Sequence, residues 1–142
     1  MTAIAPSRRP ATIDDAILGV APREVASPAT VGEAAAVLSE AARARSRVAF
    51  VGGGTALALG LPHDGLDLIL RTERLDRVVE HAPPDQIISV EAGISLAALQ
   101  RTAGAHGQRL ALDPPLADRA TLGGLLATNG FGPLRTRYGT LR

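Results

Sequence analysis

Val48-Ala49-Phe50-Val51-Gly52-Gly53-Gly54-Thr55 is an uninterrupted apolar run closed by three glycines and a threonine. Short continuous apolar runs bounded by turn residues suit a strand buried on both faces. Upstream, Thr30 with Glu33 three positions later makes a capping box, and Val31, Ala34, Ala35, Leu38, Ala41 and Ala42 recur at helical spacing. This predicts a helix running to about Arg45. Before it, Arg23 to Ser27 reads as a short strand. Strand, helix and strand in that order make a βαβ unit with parallel pairing, so the expected class is α/β (α+β).

Composition narrows the rest. The chain has 142 residues, 46% hydrophobic and 20% charged, which describes a globular domain or part of one. The net charge of +1 and only three aromatics (Phe50, Phe131, Tyr138) argue against a nucleic-acid partner. There is no cysteine, which removes disulfides, thiolate metal sites and a cysteine nucleophile. All 15 basic residues are arginine, so a P-loop with its phosphate-contacting lysine is excluded. No apolar run approaches the ~20 residues of a membrane span, and the N-terminus lacks a signal-peptide core. The expectation is a cytoplasmic protein without membrane insertion.

Further along, Met1 to Pro10 reads as a loose terminus, and Thr12 is placed to cap a short helix through Leu18. Leu66–Leu70, Arg77–Val79, Ile87–Glu91 and Leu110–Leu112 are candidate strands, with a turn at Pro83-Pro84-Asp85. Ser95 caps a helix that stops at His106-Gly107, and one short helix is expected between Thr121 and Thr128. Residues 1–22 are expected to be an N-terminal extension and 23–142 a domain incomplete at its C-terminus.

Two segments have the chemistry of a ligand site. Successive N–H groups in the turn Gly52-Gly53-Gly54-Thr55 make a nest for phosphate oxygens, and the glycines permit positive φ and close approach. The same residues also fit a plain tight connection. The Rossmann fingerprint fails, because the next fixed position after Gly52-x-Gly54 is Leu57 rather than Gly or Ala. The second segment is Ala120-Thr121-Leu122-Gly123-Gly124, followed by Ala127-Thr128-Asn129-Gly130 and Gly132-Pro133. A threonine before a glycine pair at a helix start presents a hydroxyl and free N–H groups to an anion. A glycine pair also serves close packing. His63, His81 and His106 read as a loop residue, a surface residue and a helix C-terminal cap, with no metal-ligand spacing. Arg119, Arg135, Arg137 and Arg142 follow Asp118 with no acid among them, either a solvated face or an attraction for phosphates or an anionic substrate.

Taken in order, these segments resemble the flavoproteins of the vanillyl-alcohol oxidase and p-cresol methylhydroxylase type. The matching residues are Gly52 to Thr55, Val90 to Gly93 with Leu96, Asp113 to Pro115, Ala120 to Gly124 and Gly132 to Arg142. Within that family the last stretch is most similar to the FAD-binding subunit of bacterial glycolate oxidase. The resemblance implies the N-terminal portion of a PCMH-type FAD-binding domain, with Gly-rich pyrophosphate loops. It implies that Gly52, Gly53, Gly54 and Thr55 cradle the FAD pyrophosphate. Pro115, Thr121, Gly123 and Gly124 would line the other side, with Ala127, Asn129 and Gly132 near the ribityl and isoalloxazine end. It departs from the family at Val51, where many relatives carry Arg or a polar residue. The pyrophosphate loop also lacks the histidine of covalent relatives, so non-covalent FAD is expected.

By resemblance the parent would oxidise a 2-hydroxy acid such as glycolate or lactate, with possible partner oxidase subunits. No residue of this chain is assignable as the catalytic base. The alternatives are a non-catalytic nucleotide-binding module and a reductase of the enolpyruvyl-sugar type.

Overall fold

The computed structural model describes residues 7–61 and 63–141. The expectations for Met1 to Pro6, Pro62 and Arg142 lie outside the described residues. The chain divides into two compact units, Met1–Val51 with Leu57–Leu75, and Gly52–Ala56 with Asp76–Arg142.

In the first unit, strands β1 (Ser7–Pro10), β2 (Glu24–Ser27), β3 (Val48–Val51) and β4 (Leu68–Arg71) form one sheet in the order β1-β2-β4-β3. β1 is antiparallel to β2, and β4 is parallel to both its neighbours. Helix α1 (Val31–Arg43) connects β2 to β3. It starts as its capping box predicts: Thr30 Oγ1 accepts from the Glu33 N–H at 3.1 Å, and the Glu33 carboxylate accepts from Ala29 N–H at 2.8 Å. Its buried stripe, Val37 and Ala41, packs with Ala26, Leu68 and Leu70. Ile69, pointing oppositely by the two-residue period of a strand, joins Ile17, Val25, Val51 and Leu66.

Two expectations are corrected here. The strand buried on both faces is β4, whose Leu68, Ile69 and Leu70 are all buried. β3 is the sheet edge, and its Phe50 is 60% exposed. Consequently β2 and β3 do not pair directly; β4 lies between them and completes the parallel βαβ arrangement.

Ser7–Pro10 is not loose. Its residues are all exposed and three of the four are polar, so charge rather than apolar burial fixes the strand. Arg8 donates to Glu40 at 2.6 Å and to Glu24 at 3.2 Å, and Arg9 grips both oxygens of the buried Asp15 at 2.6 and 2.8 Å. The helix expected through Leu18 is one 3-10 turn, Ile13–Asp15. Asp15 also accepts from the Thr12 N–H and hydroxyl. The chain then reverses at Leu18 and Gly19, both with positive φ, closing a bridge between Ile17 and Val20.

In the second unit, β5 (Val78–Ala82) and β6 (Ile87–Val90) form an antiparallel hairpin around the Pro83–Asp85 turn. Helices α2 (Leu96–Gly104), α3 (Leu122–Thr128) and α4 (Arg135–Tyr138) follow. The Ser95 hydroxyl caps α2 by accepting from Ala98 N–H at 3.1 Å. Leu96, Leu112, Ala120 and Leu125 form the core, flanked by Leu110, Ala117, Phe131 and Leu141. Leu110–Leu112 is not a strand. The Gln100 side-chain amide takes the neighbour's place, donating to the Leu110 carbonyl at 2.6 Å and accepting from its N–H at 3.1 Å.

Candidate functional site

The Gly52–Thr55 loop belongs to the second unit, where it lies against the segment Arg119–Thr121. A Cβ on Gly52 would overlap Thr121 Oγ1 and stand 3.3 Å from Thr121 Cβ and Cγ2. A Cβ on Gly53 would run into the Arg119 carbonyl, with its carbon at 2.6 Å. Neither has a positive φ; Gly54 does, at 68°. The glycines are therefore required for two different reasons. Gly52 and Gly53 let two backbones approach, and Gly54 reverses the chain in a conformation that costs glycine little.

Among the described residues, no acceptor pairs with the N–H groups of Gly52, Gly53, Gly54 or Thr55. The loop residues are half-buried. Consecutive unpaired donors in a turn with a left-handed residue are what an oxyanion nest consists of. A carboxylate would have no countercharge to offer a bound anion here, but Arg119 does: its Nη2 donates to the Gly53 carbonyl at 3.3 Å.

The second Gly-rich segment is built differently from its sequence expectation. Thr121 caps α3, its Oγ1 accepting from Gly124 N–H at 3.2 Å. The Leu122 N–H donates to Ile94 O at 2.9 Å and the Gly123 N–H to Ala92 O at 2.8 Å. The Leu96 N–H returns to Ala120 O at 2.8 Å, making a short ladder between 92–96 and 120–123. The first N–H groups of α3 are thus already satisfied and are not free for an anion. Gly123 serves close packing instead: a Cβ there would come within 2.8 Å of Ala92 Cβ and its carbonyl oxygen. The donors are in the loop at 52–55, and the 120–124 segment is the wall behind it.

Of the other sequence candidates, Gly132 packs on the backbone and carboxylate of Asp113, whose Oδ1 accepts from Leu134 N–H at 3.0 Å. That joins Gly132 to the Asp113–Pro115 turn. Pro115 itself is exposed, and Pro114 is the buried member of the pair. Ala127 and Asn129 lie exposed at the end of α3, where Asn129 takes the left-handed conformation, φ 49°, and Gly130 N–H bonds back to Leu125 O at 2.7 Å. Among the described residues no hydrogen bond links Ala127, Asn129 or Gly132 to the 52–55 loop.

The sequence marks the stretches Val90 to Gly93 and Asp113 to Pro115 but not what they do: the Asp113 carboxylate accepts from Leu134 N–H, and the carbonyls of Ala92 and Ile94, which hold the start of α3, have no side-chain signature. The segment that supplies them is anchored by Glu91, a buried carboxylate gripped by Arg77 at 2.7 and 3.1 Å. That hydrogen bonding by the Arg77 side chain, then by its N–H, holds Glu91 below the usual carboxylate range. The histidines stand elsewhere: His81 and His106 pack edge to face at 4.9 Å, and His63 is half-buried rather than exposed. No helix among the described residues is long and apolar enough to cross a membrane.

The chain is similar to several known proteins. The family described as FAD binding domain matches residues 22–142. D-lactate dehydrogenase of Archaeoglobus fulgidus is 34% identical over 129 residues, 87% of this chain and 28% of that protein. D-2-hydroxyglutarate dehydrogenase of Xanthomonas citri pv. viticola is 31% identical over 121 residues, 85% of this chain and 26% of that protein. The chain therefore spans about a quarter of the length of these relatives. Among solved structures, an alkyldihydroxyacetonephosphate synthase superposes with a TM-score of 0.76 at 23% identity, over 87% of this chain and 26% of that one. GilR, an oxidoreductase of gilvocarcin biosynthesis, superposes with a TM-score of 0.62 at 26% identity, over 82% of this chain and 23% of that one. The unpaired donors at Gly52–Thr55 and the adjacent guanidinium suit the pyrophosphate of that family's cofactor. The chain belongs to the FAD binding domain family, of the vanillyl-alcohol oxidase and p-cresol methylhydroxylase type.

Proposed function

We propose that this chain is the FAD-binding segment of a flavin-dependent oxidoreductase that oxidises a 2-hydroxy acid such as glycolate or lactate. The observation that carries the proposal is the row of unpaired N–H groups at Gly52–Thr55, set against Arg119–Thr121. In this reading Gly53, Gly54 and Thr55 hold the pyrophosphate by backbone donors. Thr121, Gly123 and Gly124 form the wall behind it, with Pro115 on the same side. Ala127, Asn129 and Gly132 serve the ribityl and isoalloxazine end. Bound flavin supplies hydride or electron transfer; the chain binds and orients it.

The substrate class is supported by the names of the two curated relatives, a D-lactate and a D-2-hydroxyglutarate dehydrogenase. Glycolate oxidation with partner subunits is the narrower form of the proposal. Cytoplasmic placement belongs to it as well. Non-covalent attachment is supported by the absence of cysteine and of histidine in either Gly-rich segment.

The test is anaerobic reduction of FAD bound to the protein that carries this segment. Glycolate, D-lactate and D-2-hydroxyglutarate are each added and flavin bleaching is followed. Bleaching by at least one hydroxy acid is expected. Tight FAD binding without bleaching by any of them would leave a binding module and refute the oxidase reading.

A further inference from the structure

The sequence leaves Arg119 in a basic stretch, either a solvated face or an attraction for phosphates; the structure sets it against the loop at two points. Its backbone carbonyl abuts the Gly53 Cα, and its guanidinium donates to the Gly53 carbonyl at 3.3 Å. A trans peptide is planar, with its C=O and N–H pointing in opposite directions. Holding the Gly53 oxygen therefore fixes the plane of the 53–54 peptide and sends the Gly54 N–H the other way. That constraint matters here because glycine populates both signs of φ with little preference, and Gly54 sits at 68°. Without a tie on its carbonyl, the 53–54 peptide has an inexpensive alternative orientation in which the Gly54 donor leaves the row.

The remainder of the guanidinium is uncommitted. A guanidinium has several donors and is charged at every working pH. Among the described residues Arg119 is exposed, forms no ion pair, and makes this one side-chain hydrogen bond. At 3.3 Å that bond is long for N–H···O, so it orients without immobilising the side chain. We propose that Arg119 is the positioning residue of the pyrophosphate loop: it fixes the 53–54 peptide so that Gly54 N–H faces the anion, and it supplies the positive charge beside the phosphates. The proposal rests on the assignment of the loop to the FAD pyrophosphate.

The test uses Arg119→Gln, Arg119→Lys and Arg119→Ala, titrated with FAD, with ADP and with riboflavin at low and high salt. Gln keeps a donor for the Gly53 carbonyl and loses the charge; Lys keeps the charge and loses the planar fork. Arg119→Ala is expected to weaken FAD and ADP by about tenfold or more and to leave riboflavin unchanged. Arg119→Gln should bind with a flatter salt dependence than the native protein, because the screened charge is gone. In the FAD-bound protein, where the Gly54 N–H has an acceptor, its amide exchange should quicken in Arg119→Ala and Arg119→Lys and stay near native in Arg119→Gln. An unaltered unfolding midpoint is expected for all three, since the side chain is exposed.

Native affinity, salt dependence and Gly54 exchange in all three variants would overturn the role of Arg119. If, in the same titrations, Gly54→Val also bound FAD and ADP normally, the loop assignment itself would be wrong. If Gly54→Val lost both ligands while the Arg119 variants did not, only the role of Arg119 would fall.

Discussion

Gly52 and Thr121 form a pair whose coupling follows directly from the packing of the two Gly-rich segments. An alanine at 52 has an allowed backbone, because Gly52 does not use positive φ. Its Cβ nevertheless overlaps Thr121 Oγ1, and that oxygen is held in place as the acceptor of the Gly124 N–H. Overpacking of this kind costs about 1–3 kcal/mol. Thr121→Ala removes the offending oxygen at the cost of the cap, about 1 kcal/mol. In Gly52→Ala with Thr121→Ala, the new Cβ meets the residue 121 Cβ at 3.3 Å, tight but short of a collision. The double variant should therefore be little worse than Thr121→Ala alone, with a coupling of about 1–2 kcal/mol in a double-mutant cycle. Urea unfolding of the four proteins measures it. Gly53→Ala supplies the contrast, because its Cβ meets the Arg119 backbone carbonyl and no side-chain deletion relieves it. Strict additivity of Gly52→Ala and Thr121→Ala would mean that the two segments do not touch as described, and would refute the reasoning.

Other consequences are separately measurable. Gly54→Val places a β-branched side chain at φ 68°, so FAD and ADP binding should be lost while circular dichroism stays near native. Acid precipitation of the FAD-loaded protein should leave the yellow colour in the supernatant; colour in a peptide of this chain would show a covalent bond. In the first unit, the Arg9 side chain, helped by the Thr12 N–H and hydroxyl, holds Asp15 well below the usual carboxylate range against the opposing effect of burial. Because the folded-state value is depressed, the stabilisation is present above the unfolded value of about 4 and is lost as pH falls below it. Asp15→Asn should cost about 1–2 kcal/mol at neutral pH, allowing for the half-exposed Arg9, and the difference from native should shrink between about pH 4 and pH 2 in urea unfolding. A pH-independent difference would contradict that origin.

Local signals were legible wherever one residue type had one local job. Thr30 and Ser95 cap the helices they were expected to cap, because a hydroxyl three residues from an N–H finds it without help from the rest of the fold. Apolar runs located β3 and β6 but could not order the sheet. Val48–Val51 and Leu68–Leu70 look alike as sequences, and which is central depends on where β2 and β1 add. β1 was illegible because ion pairs rather than an apolar stripe hold it, and Leu110 was mistaken for strand because its partner is the Gln100 side chain.

The site was half legible for the same reason. The glycines announced themselves, but their division of labour did not. Whether a glycine clears space for a ligand or for another backbone depends on a neighbour distant in sequence, Arg119 for Gly53 and Ala92 for Gly123. Of the free N–H groups expected at Thr121–Gly124, those of Leu122 and Gly123 go to the carbonyls of Ile94 and Ala92, a pairing with no side-chain signature, and that of Gly124 goes to the Thr121 hydroxyl.

Titration of FAD, ADP and riboflavin into the native protein and into Gly53→Ala tests the central claim most directly. That substitution separates the loop from Arg119–Thr121 without adding charge or a polar group. The account predicts that FAD and ADP lose affinity by a similar factor, about tenfold or more, while riboflavin, which has no pyrophosphate, binds as before. Unchanged FAD and ADP affinity in a folded Gly53→Ala protein, or an equal loss for riboflavin, would contradict the assignment of Gly52–Thr55 to the pyrophosphate.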